Sequence, residues 1–315
     1  APLGQLPAQY VGERVRARAI ACLGGPAHAR EAVSGSAALV LGSAVMHASW
    51  NLLAKRVAGG AEFVWLLSLV TLAVLGPVVA VYAWLERPAF TLAHAGLALV
   101  SGAIHIGYFV TLQRGYRVGD LSLVYPLARG SGPALATVLA LLLLGERPGP
   151  QALLGTLLVV GSVFVLTGGR GHGGARRPAV LYGLVTGGFI SLYTVWDGYA
   201  VGHAGAVPLV YMVVSEGWRA LLMLPVALRG RAEVARVWRA HRGATVAVAL
   251  LSSCAYLLVL TAMGFTPVSL VAPTREVSIL LGTLMGARLL AEGHGRRRAL
   301  GALGMVAGVA LLALA

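Results

Sequence analysis

A short apolar stretch occurs twice in this chain, once in each half. The first copy reads Leu121-Ser-Leu-Val-Tyr-Pro126 and the second reads Val268-Ser-Leu-Val-Ala-Pro273, so they begin 147 residues apart in a chain of 315. Each copy opens a long apolar run that ends on Gly145-Glu146 or Ala291-Glu292, and one further apolar run follows each. A duplicated hydrophobic unit predicts two halves that pack around a shared interface.

The composition places this duplicated unit in a lipid bilayer. Hydrophobic residues make up 58% of the chain and charged residues only 11%. A soluble domain carries about 25% charged residues, so this chain has too few charges to cover a globular surface. The sequence therefore predicts an all-α integral membrane protein.

Ten apolar segments come close to the roughly 20 residues that a helix needs to cross a bilayer. They form two sets of five, and because five is odd the second set enters the membrane in the opposite orientation. The sequence predicts ten transmembrane helices as two inverted five-helix repeats, 35–169 and 170–315, after a mobile tail at 1–34. Eight or nine helices are the alternative if a weak segment is interfacial. The predicted helices are 36–54, 63–85, 92–113, 119–144, 151–168, 179–200, 206–228, 243–264, 267–291 and 299–315.

Basic residues are concentrated in alternate loops. The loops after predicted helices 1, 3, 5, 7 and 9 hold 15 of them, whereas the other loops hold only Arg87 and Arg147. Because Lys and Arg accumulate on the cytoplasmic side, both termini are predicted outside a bacterial-type inner (plasma) membrane. Arg14, Arg16, Arg18 and Arg30 in the tail argue for the opposite orientation. This bias and contact with anionic lipid account for the net charge of +14, so no nucleic-acid partner is needed.

Charged residues interrupt several predicted helices, and a charge inside a bilayer is costly unless it is paired or functional. Under the 147-residue offset, Arg129 in the first repeat corresponds to Glu276 in the second. Inverted repeats bring equivalent positions together near the midplane, so we expect these two side chains to pair. The pair is either a substrate or proton site or a permanent bridge between predicted helices 4 and 9.

The remaining interior charges are unequal in number. Glu216 and Arg219 lie three residues apart on one helix face, so local pairing is the favoured interpretation. Arg275 corresponds to Ala128 in the first repeat, and its charge is left over unless Asp197 cancels it. Arginine offers a bidentate fork to a carboxylate or phosphate. Arg275 is therefore a candidate contact for an anionic substrate.

The first predicted helix holds the densest polar set. His47, Asn51 and Lys55 are spaced i, i+4 and i+8, so they share one face, and Trp50 lies beside them. Lys55 is the only lysine among 25 basic residues, which indicates either a need for a compact ammonium group or chance. Histidine can titrate near neutral pH, so His47 is a candidate proton carrier, the alternative being a plain hydrogen bond to a neighbouring helix.

Predicted helices 3 and 6 add His105, Tyr108 and Tyr193 to the candidate site. Such rings line polar cavities, but they also anchor helices at the membrane interface. No cluster has the spacing of a metal site, and Cys22 and Cys254 make no disulfide framework. Neither a metal nor a cofactor is expected.

Two of these motifs together resemble EamA-type members of the drug/metabolite transporter superfamily. They are His47-Ala-Ser-Trp-Asn-Leu-Leu-Ala-Lys55, and the Ser-Leu-Val-x-Pro runs that lead to Gly145-Glu146-Arg147-Pro148 and Ala291-Glu292. The resemblance covers 36–315 and implies two inverted five-helix repeats, a central cavity and transport of small metabolites, often outward, without ATP hydrolysis. The second repeat has Tyr193-Thr-Val-Trp-Asp-Gly198 where the first has Trp50-Asn-Leu-Leu-Ala-Lys55, so we expect an asymmetric site.

These observations predict a secondary transporter, working as an exporter, for a small polar or amphipathic metabolite. Alternating access around a midplane cavity would be driven by a proton gradient or by the substrate's own gradient. The predicted anion contacts are Arg129, Arg275 and Lys55, and the predicted proton carriers are Glu276 and His47. No Gly-x-x-x-x-Gly-Lys-Ser/Thr phosphate loop occurs, which argues against an ATP-driven pump. The alternatives are a lipid-linked sugar flippase, a substrate exchanger, a membrane-embedded enzyme and a non-transporting structural or sensor protein.

Overall fold

The computed structural model describes residues 26–57, 60–118, 121–167, 176–279 and 295–314. These residues form helices joined by short connections, with no strand among them, which confirms the all-α prediction for this part of the chain. The helices are α1 (Pro26–Val57), α2 (Ala61–Glu86), α3 (Leu92–Val118), α4 (Leu121–Leu143), α5 (Pro150–Thr167), α6 (Arg176–Gly202), α7 (Pro208–Arg229), α8 (Arg231–Met263), α9 (Val268–Thr274) and α10 (Gly295–Ala313).

Length and composition allow five of the described helices to cross a membrane, namely α2, α3, α6, α7 and α8. The 26 residues of α2 span about 40 Å at 1.5 Å per residue, which exceeds the roughly 30 Å of a hydrocarbon core. Shorter apolar segments lie in α1, α4, α5 and α10. Large apolar side chains point outward, as Leu142 (73% exposed), Leu157 (68%) and Leu181 (61%) show. An apolar exterior of this kind suits lipid, so the chain is a multi-pass membrane protein.

Turn-forming residues set several helix ends close to the predicted positions. Proline is favoured in the first turn of a helix, and Pro150 and Pro208 begin α5 and α7. For α2, α5 and α7 the predicted ends agree with the structure to within two residues. Hydrophobic runs bounded by such residues are therefore sufficient to locate these helices.

Two helices begin ten or more residues earlier than predicted. α1 starts at Pro26 and α8 at Arg231, because charged residues continue each helix beyond its apolar run. The first part of α8 is amphipathic, with Val237 buried and Arg236 and Arg239 exposed. Non-helical dihedral angles at His241 (φ −135°, ψ 26°) separate this part from the apolar remainder. A prediction from hydropathy locates only the apolar part of α8 after His241, because the charged residues before it lower the average. The predicted mobile tail lies outside the described residues up to position 25.

The helix predicted at 267–291 is interrupted after its first two turns. α9 contains Pro273 and ends at Thr274, and Arg275 and Glu276 form a turn. The Glu276 N–H donates to the carbonyl oxygen of Pro273 at 3.0 Å, a tighter pattern than that of an α-helix. This turn carries two of the predicted site residues. Positions 280–291 of this predicted helix lie outside the described residues.

Helices from the two halves of the chain pack against each other. α1 packs on α8, α6 on α3 and α4, α2 on α7 and α8, α3 on α7, and α5 on α10. The backbones of α5 and α10 approach closely, since a Cβ atom on Gly155 would lie 2.8 Å from the carbonyl oxygen of Gly308. Small residues permit such close packing in membranes. The largest buried apolar cluster draws on both halves, from Val40 to Ala272.

The Gly145-Glu146 motif joins the two halves. Gly145 has φ +66°, a conformation that glycine adopts without steric cost. The Glu146 carboxylate accepts hydrogen bonds from the backbone N–H groups of Val268 (2.7 Å) and Ser269 (2.9 Å). These N–H groups open α9 and have no partner within the helix. Glu146, at the end of the first repeated run, therefore caps the helix that begins the second run at Val268.

Candidate functional site

A cavity of about 90 Å³ lies between helices of both halves. α1, α2 and α3 form one part of its wall, and α6, α7, α8 and the turn after α9 form the rest. The wall is mostly polar or aromatic. Seven of the predicted site residues line the cavity, namely His47, Trp50, His105, Tyr108, Tyr193, Glu216 and Arg275.

An aromatic cluster joins α3, α6 and α8 at this cavity. The His105 ring stacks on Tyr193, with centroids 4.3 Å apart and planes at 25°. Tyr256 meets the edge of His105 at 5.5 Å, and Tyr108 meets Tyr193 at 5.7 Å. His105 Nδ1 lies 2.9 Å from the Ser101 carbonyl oxygen, and because a carbonyl only accepts, Nδ1 is the protonated nitrogen. These contacts fix an aromatic surface against which a planar or apolar group can pack.

Asp197 lies behind this cluster and is fully buried. The Tyr211 hydroxyl donates to Oδ1 of Asp197 at 2.6 Å, and the Tyr256 hydroxyl donates to Oδ2. Within the described part of the chain, no cationic group lies within 4.0 Å of this carboxylate. Both tyrosines line the cavity. Two hydrogen-bonded tyrosines therefore connect the Asp197 carboxylate to the wall of the cavity.

Glu216 and Arg219 pair along one face of α7, as their spacing predicts. Arg219 Nε also donates to Ser68 Oγ on α2 at 2.8 Å. The same guanidinium lies 5.6 Å from the centre of the Phe109 ring, a geometry that attracts a cation. Because a carboxylate, a hydroxyl and an aromatic ring already satisfy Arg219, this pair contributes no net charge to the cavity.

Arg275 contributes a positive charge to the cavity wall. Among the described residues, no carboxylate lies within 4.0 Å of its side-chain nitrogens. Its neighbour Glu276 pairs with Arg129 instead. The leftover charge that the sequence predicts is thus located at Arg275.

Arg129 and Glu276 form an ion pair in the protein interior. Arg129 Nε lies 3.1 Å from Glu276 Oε2, and their side chains are 5% and 3% exposed. Arg129 Nη2 also donates to Ser278 Oγ at 3.2 Å. The pair links α4 to the turn after α9. Although both residues are described, neither is part of the cavity wall.

Comparison with protein families finds a match in the first half of the chain. Residues 35–168 match the model of the EamA-like transporter family. The first half of the chain is therefore similar to EamA-like transporters. The matched residues include the helix-1 motif and Gly145-Glu146, which supports the resemblance that these motifs carry. The family is one of membrane transporters.

Comparison with whole proteins adds information on the fold alone. No curated protein matches this chain. One solved structure, titled "Crystal structure of protein", superposes on this chain with a TM-score of 0.66 and 17% sequence identity. The alignment covers 88% of this chain and 96% of the other. At this level of identity, the likeness extends to the fold and not to the substrate.

The EamA motif at the end of α1 supplies two residues to the cavity. Trp50 Nε1 donates to His47 Nδ1 at 3.2 Å, and the rings meet edge to face. The side chains of Asn51 and Lys55 lie outside the described residues, so their predicted roles stay predictions. This stretch thus combines an aromatic edge with a histidine whose orientation the indole fixes.

Sequence reasoning missed the carboxylate with its two tyrosines. It considered Asp197 only as a possible counter-charge and did not consider Tyr211 or Tyr256. One signal was available, because Trp196-Asp197 in the second half repeats the pattern of Trp50-Asn51 in the first. The tyrosines carry no such signal, since they come from two other helices.

Proposed function

We propose that this chain is an EamA-type secondary transporter that exports a small polar or amphipathic metabolite. Two inverted five-helix repeats, 35–169 and 170–315, would alternate access to the cavity between them. Both termini would lie outside a bacterial-type inner membrane, as the distribution of basic loops favours. A proton gradient or the substrate's own gradient would supply the energy.

Helix packing supports the repeat architecture of this proposal. If each helix is exchanged with the helix five places along, the α1–α8 contact maps onto α6–α3, and α2–α8 maps onto α7–α3. The contacts α2–α7, α4–α9 and α5–α10 map onto themselves. This behaviour is expected of two repeats related by a two-fold axis in the membrane plane.

One observation carries the assignment of substrate class. Arg275 points its charge at a cavity lined by both halves, with no carboxylate partner among the described residues. A substrate with a carboxylate or phosphate would supply that partner, and arginine suits either group. The aromatic cluster would hold the less polar part of the molecule. Arg129 fits the anion-contact role less well, because Glu276 and Ser278 already occupy its guanidinium.

The measurement that tests the proposal is the partition of metabolites between cells and medium. Host cells would express the wild-type chain, Arg275→Gln or the control Arg239→Gln, in which an exposed arginine of α8 loses its charge. We expect the wild type and the control to enrich a class of organic anions in the medium. A hydrogen bond to a charged group contributes about 1.5–3 kcal/mol. Arg275→Gln should therefore weaken apparent affinity by roughly 10- to 100-fold.

Other results of this export experiment would contradict parts of the proposal. If the wild type inserts in the membrane and no solute moves outward, export is wrong. Movement of a lipid-linked sugar to the outer leaflet would identify a flippase, and solute movement only against a counter-solute would identify an exchanger. If Arg275→Gln exports as well as wild type, the anion contact lies elsewhere, and the predicted contact Lys55 is tested next.

A further inference from the structure

Three described carboxylates in the protein interior have different partners. Glu276 is paired with Arg129 and Glu216 with Arg219. Asp197 instead accepts hydrogen bonds from two tyrosine hydroxyls and is 0% exposed. The two glutamates have permanent counter-charges, and Asp197 has only neutral donors.

This difference decides which carboxylate can change its charge during a transport cycle. Arginine stays protonated in proteins, so adding a proton to Glu216 or Glu276 would leave a buried cation without its partner. Such an unpaired buried charge costs several kcal/mol. Adding a proton to Asp197 removes a buried charge instead and strands no other.

The groups around Asp197 permit this change. α3 contributes His105, which interacts electrostatically with Asp197, and α7 and α8 contribute Tyr211 and Tyr256. α6 itself adds Tyr193, stacked on His105. The charged residue that α4 contributes is Arg129, which Glu276 already holds, and α9 contains no ionisable residue. Glu216 and Arg219 of α7 act on His105 as a neutral pair.

We propose that Asp197 is a proton-binding site that couples the transport cycle to a proton gradient. The coupling role rests on the proposed transport function, whereas proton binding does not. A proton from water on one side of the membrane would bind one carboxylate oxygen and leave on the other side. The neutral acid donates a hydrogen bond, so one tyrosine hydroxyl must turn from donating to accepting. Tyr211 and Tyr256 line the cavity, so the turn changes the surface that the substrate meets.

Infrared difference spectroscopy of the purified full chain in lipid nanodiscs tests the site without a substrate. Lowering the pH should produce the C=O stretching band of a protonated carboxylic acid. We expect this band in the wild type and in the control Glu86→Gln, which changes an exposed acid at the end of α2. Subtracting the Asp197→Asn spectrum from the wild-type spectrum should isolate the contribution of Asp197. Tyr256→Phe should keep the band and shift it to higher frequency, because the acid loses a hydrogen bond.

The proposal is overturned if the wild-type and Asp197→Asn spectra show the same carboxylic acid bands. If Asp197→Asn does not fold, Tyr256→Phe still decides, because a band that does not shift is not that of Asp197. The outcome is separable from export. If Asp197→Asn removes the band but the wild type exports no solute, the proton site is supported and the transport proposal is refuted. With export established, Asp197→Asn should abolish the response to a pH gradient and leave substrate exchange intact.

Discussion

The Arg129–Glu276 ion pair permits a prediction whose size follows from the structure. The two charged groups lie 3.1 Å apart and are 5% and 3% exposed. With an effective dielectric constant of about 20, Coulomb's law gives an attraction of roughly 5 kcal/mol. Removing one partner also leaves a buried charge unpaired, which typically costs about 3–5 kcal/mol. We therefore expect Arg129→Gln and Glu276→Gln each to lower the free energy of unfolding by about 3–5 kcal/mol.

The double variant Arg129→Gln/Glu276→Gln separates the ion pair from its surroundings. Two neutral amides can hydrogen-bond to each other, and Ser278 remains available to residue 129. No buried charge is left, so the double variant should be more stable than either single variant. Strong coupling of this sign is expected only for residues in direct contact.

The assay is reversible unfolding in mixed detergent and sodium dodecyl sulfate, followed by circular dichroism. Single-variant costs below about 1 kcal/mol, or costs that add in the double variant, would contradict the buried-pair reasoning. Export by the same variants then decides the role of the pair. A stable double variant that exports identifies a permanent bridge between α4 and the turn after α9. One that is stable but does not export identifies a pair that must break and reform.

Two further predictions concern contacts between the halves. Glu146→Ala removes two charge-assisted hydrogen bonds to the start of α9, a net loss of at least about 3 kcal/mol. Hydrogen exchange of the Val268 amide should then accelerate by roughly 150-fold or more, whereas Glu86→Ala, at an exposed helix end, should leave it unchanged. Gly155→Leu places a side chain against α10, 2.8 Å from a backbone oxygen, and overpacking should cost about 1–3 kcal/mol in detergent unfolding. Gly161→Leu, on the same helix with no atom within 4 Å of its Cβ, should cost less than 1 kcal/mol on the scale of surface changes. Equal effects of the paired variants would refute either prediction.

Apolar length and helix-ending residues account for most of what could be predicted of the fold. The bilayer requires long uninterrupted apolar runs, and proline at Pro150 and Pro208 marks where two helices start. The early start of α8 could not be predicted by hydropathy. Arg236 and Arg239 lower the average, although Val237 on the same segment is 2% exposed. Such a helix extends beyond its apolar run, so its start must be predicted from the periodic spacing of apolar residues rather than from average hydropathy.

The candidate site could be predicted where the internal repeat supplied a second position for comparison. The 147-residue offset predicted that Arg129 pairs with Glu276, and it identified Arg275 as a charge without an equivalent in the first half. The Asp197 cluster could not be found in this way. Its two donors are 14 and 59 residues away in sequence and lie on helices whose relative rotation depends on packing. The aromatic stack of His105 on Tyr193 depends on the same rotation.

Packing and ionisable groups differ in how they relate to the proposed repeat. Helix contacts exchange between the two halves, as the proposed alternation between two similar states requires. The ionisable groups do not exchange, since under the 147-residue offset Arg275 stands where the first half has Ala128, and Asp197 stands where it has Trp50. Both groups that would change partner with substrate or proton therefore come from the second half. Because a bound molecule needs only one set of contacts, divergence at such positions can alter selectivity while the symmetric interfaces stay unchanged.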